Sequence, residues 1–146
     1  MKRKLNTRIQ AFTLVELLIV IIIIAVLAAI AIPKFSNSSV KSKESALKAE
    51  LNLLRNAVEL FKNDCGSFPA SLADLAATAA PASGYDSAGT SRAITAADFK
   101  GPYVSKVSTC PVSGSAFTYT ITSPNVGKVN TPSTVTSTEG TAYNTW

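Results

Sequence analysis

The sequence has no histidine, only two cysteines, and charged side chains at just 16% of its 146 positions. Without histidine it lacks the commonest general base of enzymes. Two cysteines with no Cys-x-x-Cys spacing are too few for a zinc site or a thiol redox site. A glycine-rich phosphate loop and a cluster of acidic residues are missing as well. We therefore predict no enzymatic activity, no cofactor and no bound metal.

One long apolar run lies near the N-terminus, where residues 12–32 read FTLVELLIVIIIIAVLAAIAI. A helix of this length covers roughly 31 Å, which matches the hydrocarbon thickness of a membrane. The run contains one charged residue, Glu16. A carboxylate in such a segment costs at least about 2.5–3.5 kcal/mol, so it is expected to face a partner rather than lipid. We predict a membrane-spanning helix over residues 12–32 in which Glu16 meets a positive group.

Basic residues precede this run and set its orientation. The positive-inside rule places the N-terminus in the cytoplasm and everything after Ile32 on the other side of the membrane. Four of the 14 basic residues lie in the first 11 positions, which leaves 10 basic against 9 acidic side chains in the rest. With so little excess positive charge, no direct nucleic-acid site is predicted. The four residues are Lys2, Arg3, Lys4 and Arg8.

The basic stretch, the tripeptide Gln10-Ala11-Phe12 and the sequence Phe12-Thr13-Leu14-Val15-Glu16 together resemble the class III signal of type IV pilins and pseudopilins. The resemblance implies that residues 1–11 are a leader, which a prepilin peptidase cuts between Ala11 and Phe12. It further implies methylation of the new amino group on Phe12. Ala11 stands where the family usually has glycine. By the same resemblance, Glu16 of an incoming subunit pairs with the Phe12 amine of a neighbour.

The resemblance also implies partners and a location. The chain would polymerise with identical or related subunits, helped by an inner-membrane assembly platform and a cytoplasmic ATPase. It would lie in the bacterial inner membrane before assembly, and in a periplasmic or cell-surface filament afterwards. A surface type IV pilus is the first choice, and a pseudopilus for type II secretion or DNA uptake is the alternative. The major secretion pseudopilin usually binds calcium through clustered acids near its C-terminal end, whereas Glu139 is the only acid here beyond Asp98.

Two simpler interpretations of the apolar run stay open. One is an ordinary secretory signal, with Ala29-Ile30-Ala31 as a small-x-small cleavage site. The other is a plain anchor for a binding domain that never polymerises. Both leave the acid at Glu16 without a role.

A second helical pattern follows the apolar run, and residues 33–146 are predicted to form one small domain outside the membrane. Apolar residues at helical spacing predict an amphipathic helix over 34–63, with a kink at Pro33. On the opposite face we predict solvated charges, with weak pairs between Glu44 and Lys48 and between Arg55 and Glu59. The apolar positions are Val40, Leu47, Leu51, Leu54, Val58 and Phe61.

The rest of the chain predicts an α+β fold, in which the long helix packs against a small antiparallel sheet. Residues 64–100 read as a loop that opens with a turn at Gly66, includes a short helix over 71–77, and continues as surface loop over 78–97. Residues 101–146 read as β-rich, with strands at 116–121, 126–129 and 133–138. The stretch from Gly101 to Val107 resembles the Gly-Pro-Tyr-Leu-x-Lys stretch that precedes the sheet in major pseudopilins and in many Gram-positive and competence-type pilins. Gly66-Ser67-Phe68-Pro69 resembles their Gly-x-Tyr-Pro turn.

The two cysteines, Cys65 and Cys110, would lie in an environment where disulfides persist. We predict that they are joined, which would stabilise the domain by roughly 4 kcal/mol on the chain-entropy model. Two free buried thiols are the alternative.

Overall fold

The structure, a computed structural model, describes residues 12–146 except for the side chains at positions 33 and 36. The predicted leader and its cleavage residue Ala11 lie outside the described residues. The chain divides into two compact units, Met1–Ser39 and Val40–Trp146.

One helix dominates the structure. Helix α1 spans Leu14–Cys65, so the predicted long helix is confirmed and ends two residues later than expected. It continues through Pro33 without a break, and a kink at that position stays a prediction. At the end of the helix, Gly66 adopts a φ of 66° and its N–H donates to the Lys62 carbonyl at 2.8 Å, which confirms the predicted turn.

Within Val40–Trp146, one face of α1 packs in the hydrophobic core. Five of the six predicted apolar positions are buried, and Ala57 joins them. Val40 was predicted to belong to this face but is 39% exposed, because the core begins further along the helix. The core contains Leu47, Leu51, Leu54, Ala57, Val58 and Phe61 from the helix, and Phe68, Leu72, Leu75, Val104, Cys110, Phe117, Val129 and Tyr143 from the rest of the unit.

A three-stranded antiparallel sheet lies where the sequence predicted a loop. Strand β1 is Phe68–Pro69, β2 is Ser83–Tyr85 and β3 is Ser91–Ala93, in the order β1-β2-β3. The small residues that suggested a loop are needed for close pairing, since a Cβ on Gly84 would lie 2.4 Å from the Phe68 carbonyl oxygen. Between β1 and β2, the predicted short helix is a 3-10 helix, Leu72–Ala76. The prediction of a surface loop over 78–97 was therefore wrong at β2 and β3.

The β-rich prediction for the last third holds only in part. Strand β4 is Thr118–Tyr119 and pairs antiparallel with β5, Val129–Asn130. The first predicted strand is thus confirmed but shorter, and the second begins where it was expected to end. The predicted strand at 133–138 is wrong: that stretch makes a single bridge between Thr136 and Ala142. The fold is nevertheless α+β, a long helix with small antiparallel sheets, as predicted.

Candidate functional site

The start of α1 carries the predicted assembly residues Phe12 and Glu16. Thr13 lies just before the helix, and its N–H and hydroxyl donate to the Glu16 carboxylate at 2.9 Å and 2.8 Å. The Glu16 N–H donates back to the Thr13 hydroxyl at 3.2 Å. This reciprocal pair is a capping box, which satisfies donors at the helix start. This role of Thr13 was not predicted, although the Thr-x-x-Glu spacing is the sequence signature of a capping box.

The helix that follows presents apolar side chains on all sides. Every large apolar residue from Phe12 to Phe35 is between 45 and 80% exposed. By length and composition, α1 is the one helix among the described residues that could cross a membrane. Burying a leucine or isoleucine side chain is worth about 1.5–3 kcal/mol, so this surface favours contact with lipid or with another apolar helix.

A second glutamate on the same helix has a different environment. Glu44 is only 6% exposed. Its carboxylate accepts hydrogen bonds from the Thr138 N–H at 2.6 Å, the Thr138 hydroxyl at 2.5 Å and the Tyr143 hydroxyl at 2.8 Å. The hydrogen bonds from Thr138 lower the pKa of Glu44, whereas burial and the bond to Glu44 raise the pKa of Tyr143. Glu44 thus holds the C-terminal segment against the helix.

Two basic side chains of α1 extend this attachment. Arg55 donates to the Val129 carbonyl at 2.9 Å and also to the Trp146 carbonyl. Lys48 pairs with Glu139 at 3.2 Å and lies 4.4 Å from the centroid of the Trp146 ring. We call Glu44, Lys48 and Arg55, with the segment 129–146 that they bind, the C-terminal clasp.

The predicted solvated face is confirmed in part: Lys41, Lys48 and Glu59 are exposed, whereas Arg55 is half-buried and Glu44 is buried. The expected pairs, Glu44 with Lys48 and Arg55 with Glu59, are replaced by contacts distant in sequence, because folding brings the C-terminal segment within reach. Glu59 pairs with Lys62 instead. Glu139, the only acid beyond Asp98, is already engaged by Lys48, so the residues present do not fit a calcium site of clustered acids. Residues 12–146 contain no group of three or more possible metal ligands among His, Cys, Asp and Glu.

The two cysteines do not form the predicted disulfide, and both are free thiols. Cys65 lies at the helix end near Tyr103 and Asp64, where burial raises the pKa of its thiol. Cys110 is buried in the core, and Cys65 is half-buried and packs against that core.

The Gly101-Pro102-Tyr103 stretch fastens the loop after β3 to the end of α1. The Tyr103 hydroxyl donates to Asp64 at 3.0 Å, and the Tyr103 N–H donates to the Leu75 carbonyl at 2.8 Å. Its ring contacts Phe61, with centroids 5.5 Å apart. Burial raises the pKa of Tyr103 to about 12. This stretch is therefore part of the scaffold.

Comparison with known proteins bears on the N-terminal segment. Residues 6–32 match the family described as the prokaryotic N-terminal methylation motif, and the match contains Ala11, Phe12 and Glu16. In this segment, the chain is similar to type IV pilins and pseudopilins and carries their N-terminal methylation motif. The predicted resemblance is thereby confirmed.

Several pilin-family proteins are similar to part of this chain. The chain is 47% identical over 58 residues to the type IV major pilin protein PilA of Myxococcus xanthus, covering 40% of this chain and 26% of that protein. It is 46% identical over 50 residues to the type IV major fimbrial protein FimA of Dichelobacter nodosus, covering 34% and 32%. It is 32% identical over 60 residues to the type II secretion system core protein G of Escherichia coli, covering 41% of each.

These similarities are confined to part of each protein. The matches span about a quarter to two fifths of the relatives' lengths. No solved structure matches the chain significantly. The similarity to pilin-family proteins is therefore limited to part of the chain, and the matched motif lies at residues 6–32.

Proposed function

We propose that this chain is a prepilin, the structural subunit of a type IV pilus, which is cut between Ala11 and Phe12 and polymerises through its N-terminal helix. It acts mechanically and catalyses no reaction. The observation that carries the proposal is the methylation motif at residues 6–32, at the head of a helix whose large apolar side chains from Phe12 to Phe35 are all exposed. Such a helix gains burial in a membrane first and in a bundle of identical helices afterwards.

Glu16 sets the axial alignment of neighbouring helices in this bundle. Cleavage after Ala11 creates a positive amino group on Phe12, four residues from the carboxylate. A buried charge is costly unless it is paired, so the Phe12 amine of one subunit and Glu16 of the next favour one alignment among helices that otherwise slide on apolar faces. Until then, the capping box with Thr13 satisfies the carboxylate.

The proposal also names partners and places. A prepilin peptidase removes residues 1–11 and the Phe12 amine is methylated. Before assembly, the chain lies in the bacterial inner membrane with its N-terminus in the cytoplasm. An assembly platform with a cytoplasmic ATPase then adds it to the filament. A repeated head-to-tail contact between identical subunits gives an open helical polymer.

A pseudopilin of a type II secretion or DNA-uptake system is the second candidate. The similarity to the secretion core protein G favours it. The pairing of Glu139 with Lys48, in place of a cluster of free acids, favours the pilus.

Intact mass and N-terminal sequencing of the protein from its native membrane test the proposal. We expect a chain that begins at Phe12 and carries one added methyl group. A start at Ile32 would make it a secreted domain, and an uncut start at Met1 or Lys2 a static anchor; either result would refute the proposal. Electron microscopy of sheared surface filaments then separates a pilus from a short periplasmic pseudopilus.

A further inference from the structure

A cavity of about 350 Å³ lies where the end of α1 meets the three-stranded sheet. Lys62 lines it from the last turn of the helix, Ser67 from the residue before β1, Asp86 from the turn after β2, and Arg92 from β3. Its volume is at the lower end of the range of ligand pockets, about 300–1,000 Å³. The cavity therefore has room for a molecule the size of one sugar.

Two cations of this cavity have hydrogen-bonding capacity to spare. The Lys62 amine lies 3.7 Å from Glu59, and the Arg92 Nε lies 3.8 Å from Asp86. Both distances exceed the roughly 2.7–3.2 Å of an N–H···O hydrogen bond. The two side chains are 42% and 65% exposed, so a solute can reach them. An ammonium and a guanidinium are thus available to a carboxylate, with which they form strong hydrogen bonds.

Asp86 provides an acceptor beside these donors. Its Oδ1 atom accepts from the Ala88 and Thr90 N–H groups, both at 2.9 Å, which holds the side chain in place. Its Oδ2 atom lies 3.8 Å from Arg92 and can still accept a hydrogen bond from a ligand. With two positive side chains and one negative, the lining has a net charge of +1.

Hydroxyl groups complete the polar lining. Ser67 is only 2% exposed, and its Oγ atom has no hydrogen-bond partner in the structure. Buried polar groups in folded proteins are nearly always paired, so an unpaired one calls for an explanation. Ser87 lines the same cavity. A ligand that carries hydroxyl groups would provide partners for both serines.

The arrangement of charges distinguishes between classes of small ligand. Inorganic phosphate would meet the two cations but would be repelled by Asp86. A free amino acid has no net charge, so it would leave the +1 of the lining uncompensated. A sugar acid has one carboxylate for Lys62 and Arg92, and neutral hydroxyl groups for Asp86 and the serines.

We propose that this cavity binds a sugar acid, with its carboxylate on Lys62 and Arg92 and a ring hydroxyl that donates to Asp86. The site lies outside the methylation motif and does not depend on filament formation.

Nuclear magnetic resonance titration of the isotope-labelled full chain tests the site. The chain is held in lauryldimethylamine oxide micelles, since this detergent has no sugar or phosphate group. The ligands are methyl β-D-glucuronide, the neutral methyl β-D-glucoside, acetate and inorganic phosphate. We expect saturable amide shifts at Ser67, Ser87 and Arg92 with the glucuronide, and an affinity about tenfold or more above that of the other three.

Three results of this titration would overturn the proposal. Equal or tighter binding of acetate or phosphate would make the cavity a general anion site. Equal binding of the glucoside would remove the role of the carboxylate. Shifts confined to residues outside the cavity, or no binding of the glucuronide, would remove the site itself.

Removing one charge at a time tests the two halves of the site. Arg92→Gln should weaken glucuronide binding about tenfold or more, because it removes the guanidinium partner of the carboxylate. Lys106→Gln, which removes an exposed charge that does not line the cavity, should leave binding unchanged. Equal affinities of wild type and Arg92→Gln, with circular dichroism unchanged, would contradict the proposed binding mode.

Asp86→Asn separates recognition of the hydroxyl from attraction of the anion. The variant keeps an oxygen for the Ala88 and Thr90 N–H groups but loses the charged acceptor. The loss of negative charge favours glucuronide and acetate alike, so it cancels in the ratio of their affinities. The preference for glucuronide should therefore fall about threefold or more. An unchanged preference would show that Asp86 does not bind a ring hydroxyl and would overturn the proposal.

Discussion

The two stretches of α1 are one continuous helix placed in two different environments. From Phe12 to Phe35 every large apolar side chain is exposed, whereas Leu47, Leu51, Leu54, Val58 and Phe61 are buried. The second stretch has its partner within the same chain. The first has none among the described residues, so its burial must come from outside the chain.

The comparison extends to the two glutamates Glu16 and Glu44. Glu44 has its three donors in the C-terminal clasp. Among residues 12–146, the Glu16 carboxylate accepts hydrogen bonds only from Thr13, which lies three positions away. Glu44 therefore joins parts of the fold that are distant in sequence, whereas the contacts of Glu16 are local.

Replacing Glu16 tests this division most directly. Glu16→Ala should insert in the membrane normally, because it makes the segment more apolar, yet should abolish filament growth by removing the charge that sets register. Membrane fractionation and the yield of sheared filaments measure the two effects. Glu59→Ala, an exposed glutamate on the same helix, should leave both unchanged. Filaments of normal length from Glu16→Ala would remove the register mechanism.

Alanine substitutions compare how much each stretch of α1 contributes to the stability of the folded chain. Phe61→Ala should lower the free energy of unfolding by about 3–5 kcal/mol, since it empties a fully buried site. Ile24→Ala, at a side chain that is 59% exposed, should change the stability of the detergent-solubilised chain by less than about 0.5 kcal/mol. Urea unfolding followed by fluorescence of Trp146, the single tryptophan, reports both. Equal losses of stability in Phe61→Ala and Ile24→Ala would contradict the distinction between a buried and an exposed stretch of α1.

The clasp makes stability depend on pH through Glu44. Its pKa in the folded chain is lowered from 4.5, so the clasp's contribution is fully present above that value and is lost as pH falls through the lowered one. The charged and titratable groups around it are Lys41, Lys48, Glu139 and Tyr143.

Urea midpoints measured from about pH 6 to about pH 3 test this dependence. The wild type should lose stability more steeply than Glu44→Gln, which has no charge at this position to lose. Parallel curves for the two proteins would show that Glu44 does not titrate with folding.

The sequence predicted what periodicity and local chemistry determine. The helix, its buried face and the turn at Gly66 follow from residues close in the chain. The methylation motif likewise depends on residues close together in the chain, Ala11 and Phe12, with Glu16 four positions beyond Phe12.

What the sequence did not predict depends on contacts between distant residues. Strands β2 and β3 are only three residues each and rich in small side chains, so they carry no alternating pattern. The clasp joins Glu44 to Thr138 and Tyr143 across more than 90 positions, and no local signal marks that partnership. The predicted pair of Glu44 with Lys48 followed from their four-residue spacing on a helix, whereas in the structure Glu44 accepts from hydroxyl and amide donors that folding brings close.

The ion pair at the edge of the clasp should contribute least to stability. Lys48 and Glu139 are 48% and 66% exposed, so water screens their attraction to about 0.2–1 kcal/mol. Lys48 also lies over the Trp146 ring, a contact worth about 0.5–1 kcal/mol at an exposed site. Lys48→Met should therefore destabilise the folded chain more than Glu139→Gln does. Only the smaller effect, that of Glu139→Gln, should vanish in concentrated salt. Urea unfolding of both single variants and of the double variant, at low and high salt, measures the difference in the free energy of unfolding. Equal losses of stability in the two single variants would show that the contact of Lys48 with the Trp146 ring does not contribute.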